Sequence, residues 1–533
     1  MNIRQLAALI FLTISINSFS QKYDLLMTGG KIVDGSGNSW FYGDVGIKDG
    51  KIVAIGKLSP GDATRVLDVA GLVVAPGFID VHTHIETNDL KVPTAGNFIY
   101  DGVTSVVTGN CGSSNMDIAR YFSRLDSVKT SINIATLIGH NSVRKAVMGD
   151  SQRDPTIDEQ KNMEDLVRKA MREGAVGFST GLIYVPGTYS KTAEVIGLAK
   201  AASEFNGVYA SHIRDEGDHV TEAIEEAINI GRQAKMPVEI SHFKVTYKPN
   251  WGKSTGTIAQ VTQARKDGID VTVDQYPYVA SSTSLNTVLP TWAFGGGADS
   301  LQWRLKDAST RSRIKKEMLG TLKSKQLKSY SYALVARYNP DTTLNGKTIT
   351  EINVLRGRKK KPSEEAETIL EMIEKGGAQM VYFSMDESDL KRIMQYPFNM
   401  FASDAGIVQF GSGVPHPRAY GTNARVLGQY VREQKILSLE EAIRRMTSLP
   451  AQKFQLRDRG MIREGMAADV VVFSEKEVAD ISTFNRPHAY SLGFKYVVVN
   501  GVVVIDDSRH TGIRSGKVLY GPGFVKSVSD EQR

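Results

Sequence analysis

One cysteine stands among 533 residues, Cys111. An internal disulfide is thereby excluded, whatever the compartment. The sequence also lacks a Lys/Arg block long enough to track a phosphate backbone. Its densest run, Arg356-Gly-Arg-Lys-Lys-Lys-Pro362, has the length of a solvated loop. With 65 basic and 58 acidic residues the balance is only mildly positive, and nucleic acid is not an expected partner. Past the first twenty residues no stretch is long and apolar enough to span a bilayer. What remains is an ordinary enzyme-like composition, 23% charged and 41% hydrophobic, in a chain too long for one small core.

Residues 1–20 have the form of a signal peptide. Arg4 is their sole charged side chain, 6–16 is apolar but shorter than a membrane span, and Ser18-Phe-Ser20 is a small-x-small pattern before Gln21. The mature chain is expected to be exported, periplasmic or secreted, with no stable membrane insertion. A free thiol in an oxidising compartment is a liability. Cys111 is therefore either a buried small hydrophobe or a thiolate held by a metal.

Both ends of the mature chain have β texture. Apolar runs near the N-terminus are punctuated by Asp34-Gly35 and Asp49-Gly50, and a Val-rich pair near the C-terminus by Asn500-Gly501, all hairpin signals because these residues tolerate positive φ. Residues 22–75 and 465–520 are expected to combine into one small β-sandwich domain. Between them, in 76–464, short apolar strands alternate with amphipathic helices, at 78–81, 104–108, 132–138, 175–179, 207–211, 237–241, 270–274 and 400–403. A helix over 156–173 opens with the capping box Thr156-x-x-Glu159, and Ser438-x-x-Glu441 opens another. Eight strands in an α/β alternation predict a TIM-like (β/α)8 barrel with its chemistry at the C-terminal strand ends. Residues 290–375 break the rhythm and are expected to form an inserted subdomain late in the barrel, a lid over the site.

The first barrel strand emerges from Ala75-Pro76-Gly77 and ends in His82-Thr83-His84. Side chains two apart on a strand share a face about 7 Å apart, close enough for both imidazoles to reach one metal ion. Further metal-type residues close other strands: Cys111, His212, His242 and Asp404. Together these make six candidate ligands on one rim, His82, His84, Cys111, His212, His242 and Asp404. Among the other histidines, His140 ends the third strand as a candidate partner of a ligand, while His219, His488 and His510 are read as surface residues.

The motifs Gly77-Phe-Ile-Asp-Val-His-Thr-His84, Gly109-Asn-Cys-Gly112, Gly177-Phe-Ser-Thr-Gly-Leu182, Ser241-His-Phe-Lys244, Asn250-Trp-Gly252, Asp274-Gln-Tyr-Pro-Tyr278, Ser403-Asp404 and His416-Pro-Arg-Ala-Tyr-Gly421 resemble those of the N-acyl-D-amino-acid deacylases (D-aminoacylases) of the amidohydrolase superfamily. The resemblance covers essentially the whole mature chain. It implies a metal-bearing barrel flanked by a small β domain. Related amidohydrolases often bridge two metals with a carboxylated lysine; the fourth strand here, ending Gly177-Phe-Ser-Thr180, offers none. By similarity Cys111, His212 and His242 hold a tight Zn2+, with His82, His84 and Asp404 around a second, weaker position.

Zinc acidifies a bound water and polarises a carbonyl, and Asp404 is the expected general base. A cysteine-nucleophile mechanism would need a histidine free to orient the thiolate, and these histidines look committed to metal. Arg418 matches the family's carboxylate-binding arginine and Tyr184 a supporting hydroxyl; Lys244, two residues past a ligand, faces the same way. The expected reaction is hydrolysis of the linear amide of a small N-acyl-D-amino acid, with D-selectivity implied by the resemblance alone. Alternatives are a metal amidohydrolase acting on D-residue dipeptides or on cyclic amides, as dihydroorotases and hydantoinases do, and a non-catalytic binding protein.

Overall fold

A computed structural model describes residues 21–525; residues 1–20, where the signal peptide is expected, lie outside them. Eight short parallel strands form the barrel: Phe78–Asp80, Val103–Thr108, Asn133–Thr136 continued by Ile138–Gly139, Gly177–Gly181, Val208–His212, Val238–Ile240, Val271–Gln275 and Asn399–Phe401. Each falls on one of the eight apolar runs of the sequence. The first three pair with one another, and the other five with the continuation of the third. Closure comes at the first and eighth strands. Thr83 bridges Ala405 in parallel, the Asp404 N–H donates to the His82 carbonyl at 2.9 Å, and the His84 N–H donates to the Ala405 carbonyl at 2.9 Å. Every residue of these strands is buried, with Val, Ile, Phe and Ala interspersed with Thr, Ser and other polar residues that lie beneath the barrel mouth.

The outer helices show why the sequence punctuates where it does. Ile157–Arg172 starts at Thr156, whose hydroxyl accepts the Glu159 N–H while the Glu159 carboxylate accepts the Thr156 N–H. Its buried Met163, Val167, Ala170 and Met171 recur at helical spacing and face the barrel. Ser438 accepts the Glu441 N–H and opens Leu439–Met446 with half of that box, the Glu441 carboxylate pairing with Arg444 and Arg445 instead.

Both ends of the chain build the flanking β layer. Its nine strands come from residues 23–76 and 470–510. They form one hydrogen-bonded sheet closed over its own apolar core, so the expected sandwich is a single sheet bent on itself. Tyr23–Ile32 causes the bend: it pairs in parallel with Ala63–Asp68 over residues 23–28, then leaves that strand and joins Val73–Pro76 at Lys31 and Ile32. Leu25, Met27, Val45, Ile47, Val470, Val472 and Val498 fill the fold of the sheet. Asp49-Gly50 and Asn500-Gly501 are tight turns with positive φ at all four residues. Asp34-Gly35 is not a two-residue hairpin. It lies in a longer loop, where the Asp34 carboxylate accepts the Ser36 N–H and the Asp34 carbonyl accepts the Ile462 N–H. Layer and barrel are joined by a buried polar cluster: Asn133 donates to Asp469, Asn500 donates to Asn133, and Arg459 pairs with Asp469.

The insertion lies between the seventh and eighth strands and is wider than 290–375. Its three-stranded antiparallel sheet pairs Ser281–Ser284 and Ala333–Arg337 with Gln379–Tyr382, so strands outside the expected bounds belong to it. Of the two strands outside those bounds, Ser281–Ser284 is wholly polar and Gln379–Tyr382 only four residues long, which hid them in the sequence. The helices Ala308–Ser324 and Pro362–Glu374 close a separate apolar core containing Leu285, Ile314, Met318, Val335, Ile369 and Tyr382. A core of its own makes the insertion a candidate unit of local opening. Ile369→Ala is expected to cost about 2–5 kcal/mol and to loosen residues 281–382 while the barrel amides stay protected. Hydrogen exchange checks this; equal loss of protection in the barrel strands would show a single cooperative unit instead.

Candidate metal centre

The C-terminal ends of the first, second, fifth, sixth and eighth strands converge on one buried space. His82 and His84 follow the first strand, and Asp80 at its end accepts the N–H groups of His82 and Ser403, joining first and eighth strands beneath the site. Cys111 follows the second strand in a tight loop pinned by Asn110, whose amide donates to the carbonyls of Val81 and Val107. Two glycines are required by this loop. A Cβ on Gly112 would sit 2.2 Å from Asn141 Oδ1, and one on Gly181 would sit 2.1 Å from the Cys111 carbonyl. Glu86 accepts the Thr108 hydroxyl and the Gly109 N–H, fastening this loop to the first strand.

Cys111, His242 and Asp404 all have left-handed backbones, with φ of 53°, 37° and 49°. Such conformations are disfavoured for side chains of this size and concentrate at functional sites. Here each turns a side chain from its strand end into the barrel mouth. His242 is held in that turn by its N–H, which donates to Asp274 Oδ1 at 2.8 Å.

All six expected ligands meet. Cys111 Sγ lies 3.3 Å from His82 Nε2, 3.5 Å from His212 Nδ1 and 3.8 Å from His242 Nε2. His242 Nε2 and His212 Nδ1 are 2.8 Å apart, and Asp404 Oδ1 is 3.2 Å from His84 Nε2 and 3.6 Å from His82 Nε2. In a tetrahedral zinc site with S and N ligands, sulfur and nitrogen are about 3.5 Å apart by bond lengths alone. The three sulfur–nitrogen separations bracket that value. Donor atoms group as His82–His84–Cys111, Cys111–His212–His242 and His82–His242–Asp404, each set within 4.8 Å.

The electrostatics agree. Burial opposes a thiolate at Cys111, yet His82 and His212 outweigh it and hold the thiol well below its usual range. Burial pushes Asp404 up, but the Arg418 guanidinium and His82 override it and leave the carboxyl well below its usual range. Burial disfavours a charged His84, and still Asp404 and Cys111 push it up to about 10. The anions of this pocket draw positive charge into it. The donor set therefore fits a divalent cation.

Two ligand-supporting carboxylates were not singled out as site residues in the sequence. Asp274 Oδ2 lies 3.1 Å from His82 Nδ1 with both side chains fully buried. Its signal was present, as the acid closing the seventh strand. Glu216 Oε1 is 3.0 Å from His242 Nδ1 and 2.5 Å from Lys244 Nζ. It lies in the loop after the fifth strand, in Arg214-Asp-Glu-Gly-Asp-His219, which has the look of an exposed acidic turn.

Arg418, Tyr184 and Lys244 also reach the centre. Arg418 Nη1 is 2.9 Å from Asp404 Oδ2, and its guanidinium lies over the Tyr276 ring, 4.4 Å from the centroid. His416 sets the arginine's position: its Nδ1 accepts the Arg418 N–H and its Nε2–H donates to the Ala280 carbonyl. The Tyr184 ring packs 4.8 Å from that of His212, and its hydroxyl hydrogen-bonds Thr283 of the insertion. Two cavities flank the centre and share Tyr184, Ser282, Thr283 and Asp404 as a dividing wall. One, of about 160 Å³, is lined by His212, Glu216, His242 and Lys244 and roofed by Met318, Leu322, Lys325, Tyr332 and Tyr382 of the insertion. The other, of about 620 Å³, is lined by His84, Cys111 and Arg418.

The remaining histidines divide. His219 is exposed. His140 is not beside a ligand: its Nε2 is 2.8 Å from Glu194, which also pairs with Arg144 in a buried cluster between outer helices. His488 and His510 are half-buried rather than superficial. Tyr420 and the Gly413 carbonyl bracket the His488 ring, and the His510 N–H donates to the Tyr100 hydroxyl, so packing of the β layer against the barrel covers both.

Comparison with known proteins gives a consistent result. An amidohydrolase family profile matches residues 65–505. An N-acyl-D-glutamate deacylase of Alcaligenes xylosoxydans xylosoxydans is 36% identical over 96% of this chain and 100% of its own. A D-aminoacylase crystal structure, at 35% identity, superimposes with a TM-score of 0.81 over 93% of this chain and 100% of its own. An N-acyl-D-glutamate deacylase from Bordetella bronchiseptica, solved with zinc and a phosphonate mimic of the tetrahedral intermediate, is 36% identical with a TM-score of 0.79, covering 94% and 100%. With its barrel, its strand-end donor set and these full-length similarities, the chain belongs to the amidohydrolase family, in the subset that contains the D-aminoacylases.

Proposed function

We propose that this protein is a zinc-dependent deacylase that hydrolyses the linear amide of N-acyl-D-amino acids to a carboxylate and a free D-amino acid. The observation that carries the reading is the convergence of four imidazoles, a thiolate and Asp404 beside a buried arginine. Cys111, His212 and His242 would hold the tight ion, and His82, His84 and Asp404 a second position. When bound, zinc supplies Lewis acidity that polarises the amide carbonyl and acidifies water.

The chain's own residues supply the rest. Asp404 takes the proton of the attacking water on a carboxylate oxygen and delivers it to the departing amide nitrogen, so that the amine leaves neutral. Arg418, buried and stacked on Tyr276, presents a planar fork to the substrate α-carboxylate. Lys244 adds a second positive charge, and Tyr184 a hydroxyl at the wall between the two cavities. The insertion roofs the smaller cavity and limits water there. Because the Cys111 sulfur is ringed by three imidazole nitrogens, it serves as a ligand and not as a nucleophile. Residues 1–20 would direct export, and a mature N-terminus at Gln21 in the extracytoplasmic fraction would support that address.

The first test is zinc content with parallel hydrolysis of N-acetyl-D- and N-acetyl-L-amino acids. D-series turnover with bound zinc is expected, both lost in Cys111→Ala; zinc without turnover of either series would redirect the search to dipeptides and cyclic amides. Asp404→Asn is expected to lower kcat by about 10²- to 10⁴-fold, and near-normal turnover would remove Asp404 from the base role. Arg418→Lys keeps the charge but loses the fork and the stack. It is expected to raise KM by about 10- to 100-fold, the equivalent of one charged hydrogen bond, for substrates bearing the α-carboxylate.

A further inference from the structure

Glu216 lies behind the metal centre. Its Oε1 is 3.0 Å from His242 Nδ1 and 3.7 Å from His212 Nε2, the ring nitrogens that point away from Cys111. The opposite nitrogens, His242 Nε2 and His212 Nδ1, are the ones that face the sulfur. His212 Nε2 is buried without a hydrogen-bond partner among the described residues, and Glu216 is the carboxylate within ion-pair reach of it. One carboxylate thus backs both rings.

Lys244 complicates this arrangement. Its Nζ is 2.8 Å from the same His242 Nδ1, 3.0 Å from the His242 carbonyl and 2.5 Å from Glu216 Oε1. An ammonium has protons to give and no lone pair to receive with, whereas a carboxylate has only lone pairs. A neutral imidazole carries one proton, on one nitrogen or the other. If Lys244 donates to Nδ1, the ring proton must sit on Nε2, where it blocks ligation. If Glu216 accepts from Nδ1–H, the Nε2 lone pair is open toward Cys111 and His212. The two neighbours of Nδ1 demand opposite tautomers.

We propose that Glu216 is a positioning residue that selects the metal-binding tautomer of His242, by accepting its Nδ1–H and holding the Lys244 ammonium away from that nitrogen, while its charge also faces His212 Nε2 at 3.7 Å. His82 makes the contrast. Its Nδ1 faces Asp274, and among the described residues no ammonium competes for it. The inference rests on the zinc reading above and adds to it a dependence of metal affinity on a charge balance outside the ligands.

Zinc affinity, measured by competition with a chromogenic chelator, tests it without reference to turnover. Glu216→Ala is expected to weaken zinc by about 10- to 100-fold, the usual effect of losing an outer partner of a ligating histidine. Glu216→Gln keeps the volume and an acceptor but not the charge that holds Lys244, and is expected to lose less, with the same sign. Lys244→Met alone should bind zinc at least as tightly as the wild type. The combined Glu216→Ala, Lys244→Met protein should recover most of the loss, because the competing donor is gone; a purely structural role for Glu216 gives no such rescue. Wild-type affinity in both Glu216 variants, or a double variant as weak as Glu216→Ala, would overturn the proposal. A wild-type protein that takes up no zinc would overturn the zinc reading itself, and this inference with it.

Discussion

The seam between the first and eighth strands is the constraint on which the rest depends. Closing the barrel requires these strands to share backbone hydrogen bonds, and the shared bonds involve the ligand residues themselves: the Asp404 N–H reaches the His82 carbonyl, and the His84 N–H the Ala405 carbonyl. Register therefore fixes the geometry of the candidate ligands. A slip of one residue would turn the His82 and His84 side chains to the other face and carry Asp404 out of reach. Asp80 reinforces the seam from below by accepting N–H groups from both strands. The hydrogen bonds that close the barrel are also those that place the candidate ligands.

Much of this was legible because a barrel converts sequence position into spatial position. Eight apolar runs each ended in a loop, and residues closing such runs must gather at one mouth, so His82, Cys111, His212, His242 and Asp404 could be grouped before their distances were known. Glu216 escaped because it closes no strand. Loops carry no period, and an acidic turn looks alike whether it faces solvent or a histidine. Asp274 did close a strand, but an acid there has many uses, and its contact with His82 depends on side-chain direction. The insertion was visible as a break in rhythm, while the polar edge strand Ser281–Ser284 and the four-residue central strand Gln379–Tyr382 are too short to announce themselves. His488 and His510 were misplaced for another reason: they lie where two layers meet, and burial between layers leaves no local pattern.

The electrostatic design concentrates charge that would be costly alone. A thiolate, Asp404, Asp274 and Glu216 lie within a few residues' width, opposed by Lys244 and Arg418 and by imidazoles that take up protons in the field of the anions. Buried charges persist only when paired or ligating. Each of these four anions has a cation or a ring nitrogen beside it, and His82, His242 and Asp404 are each backed by a charged group within 3.1 Å. Such a centre is rigid without being apolar.

The pairing of Arg418 with Asp404 links two tasks usually described separately. One guanidinium touches the residue proposed for proton transfer and is also the arginine proposed for the substrate carboxylate. A carboxylate arriving at Arg418 would share its positive charge, relax the grip that keeps Asp404 a weak base, and raise its proton affinity when a proton must be taken. Amides without that carboxylate would leave the grip intact. Under the proposed roles, selectivity of this kind would be felt in the rate of the bound complex as well as in its formation, and the substrate would become the activator of its own hydrolysis.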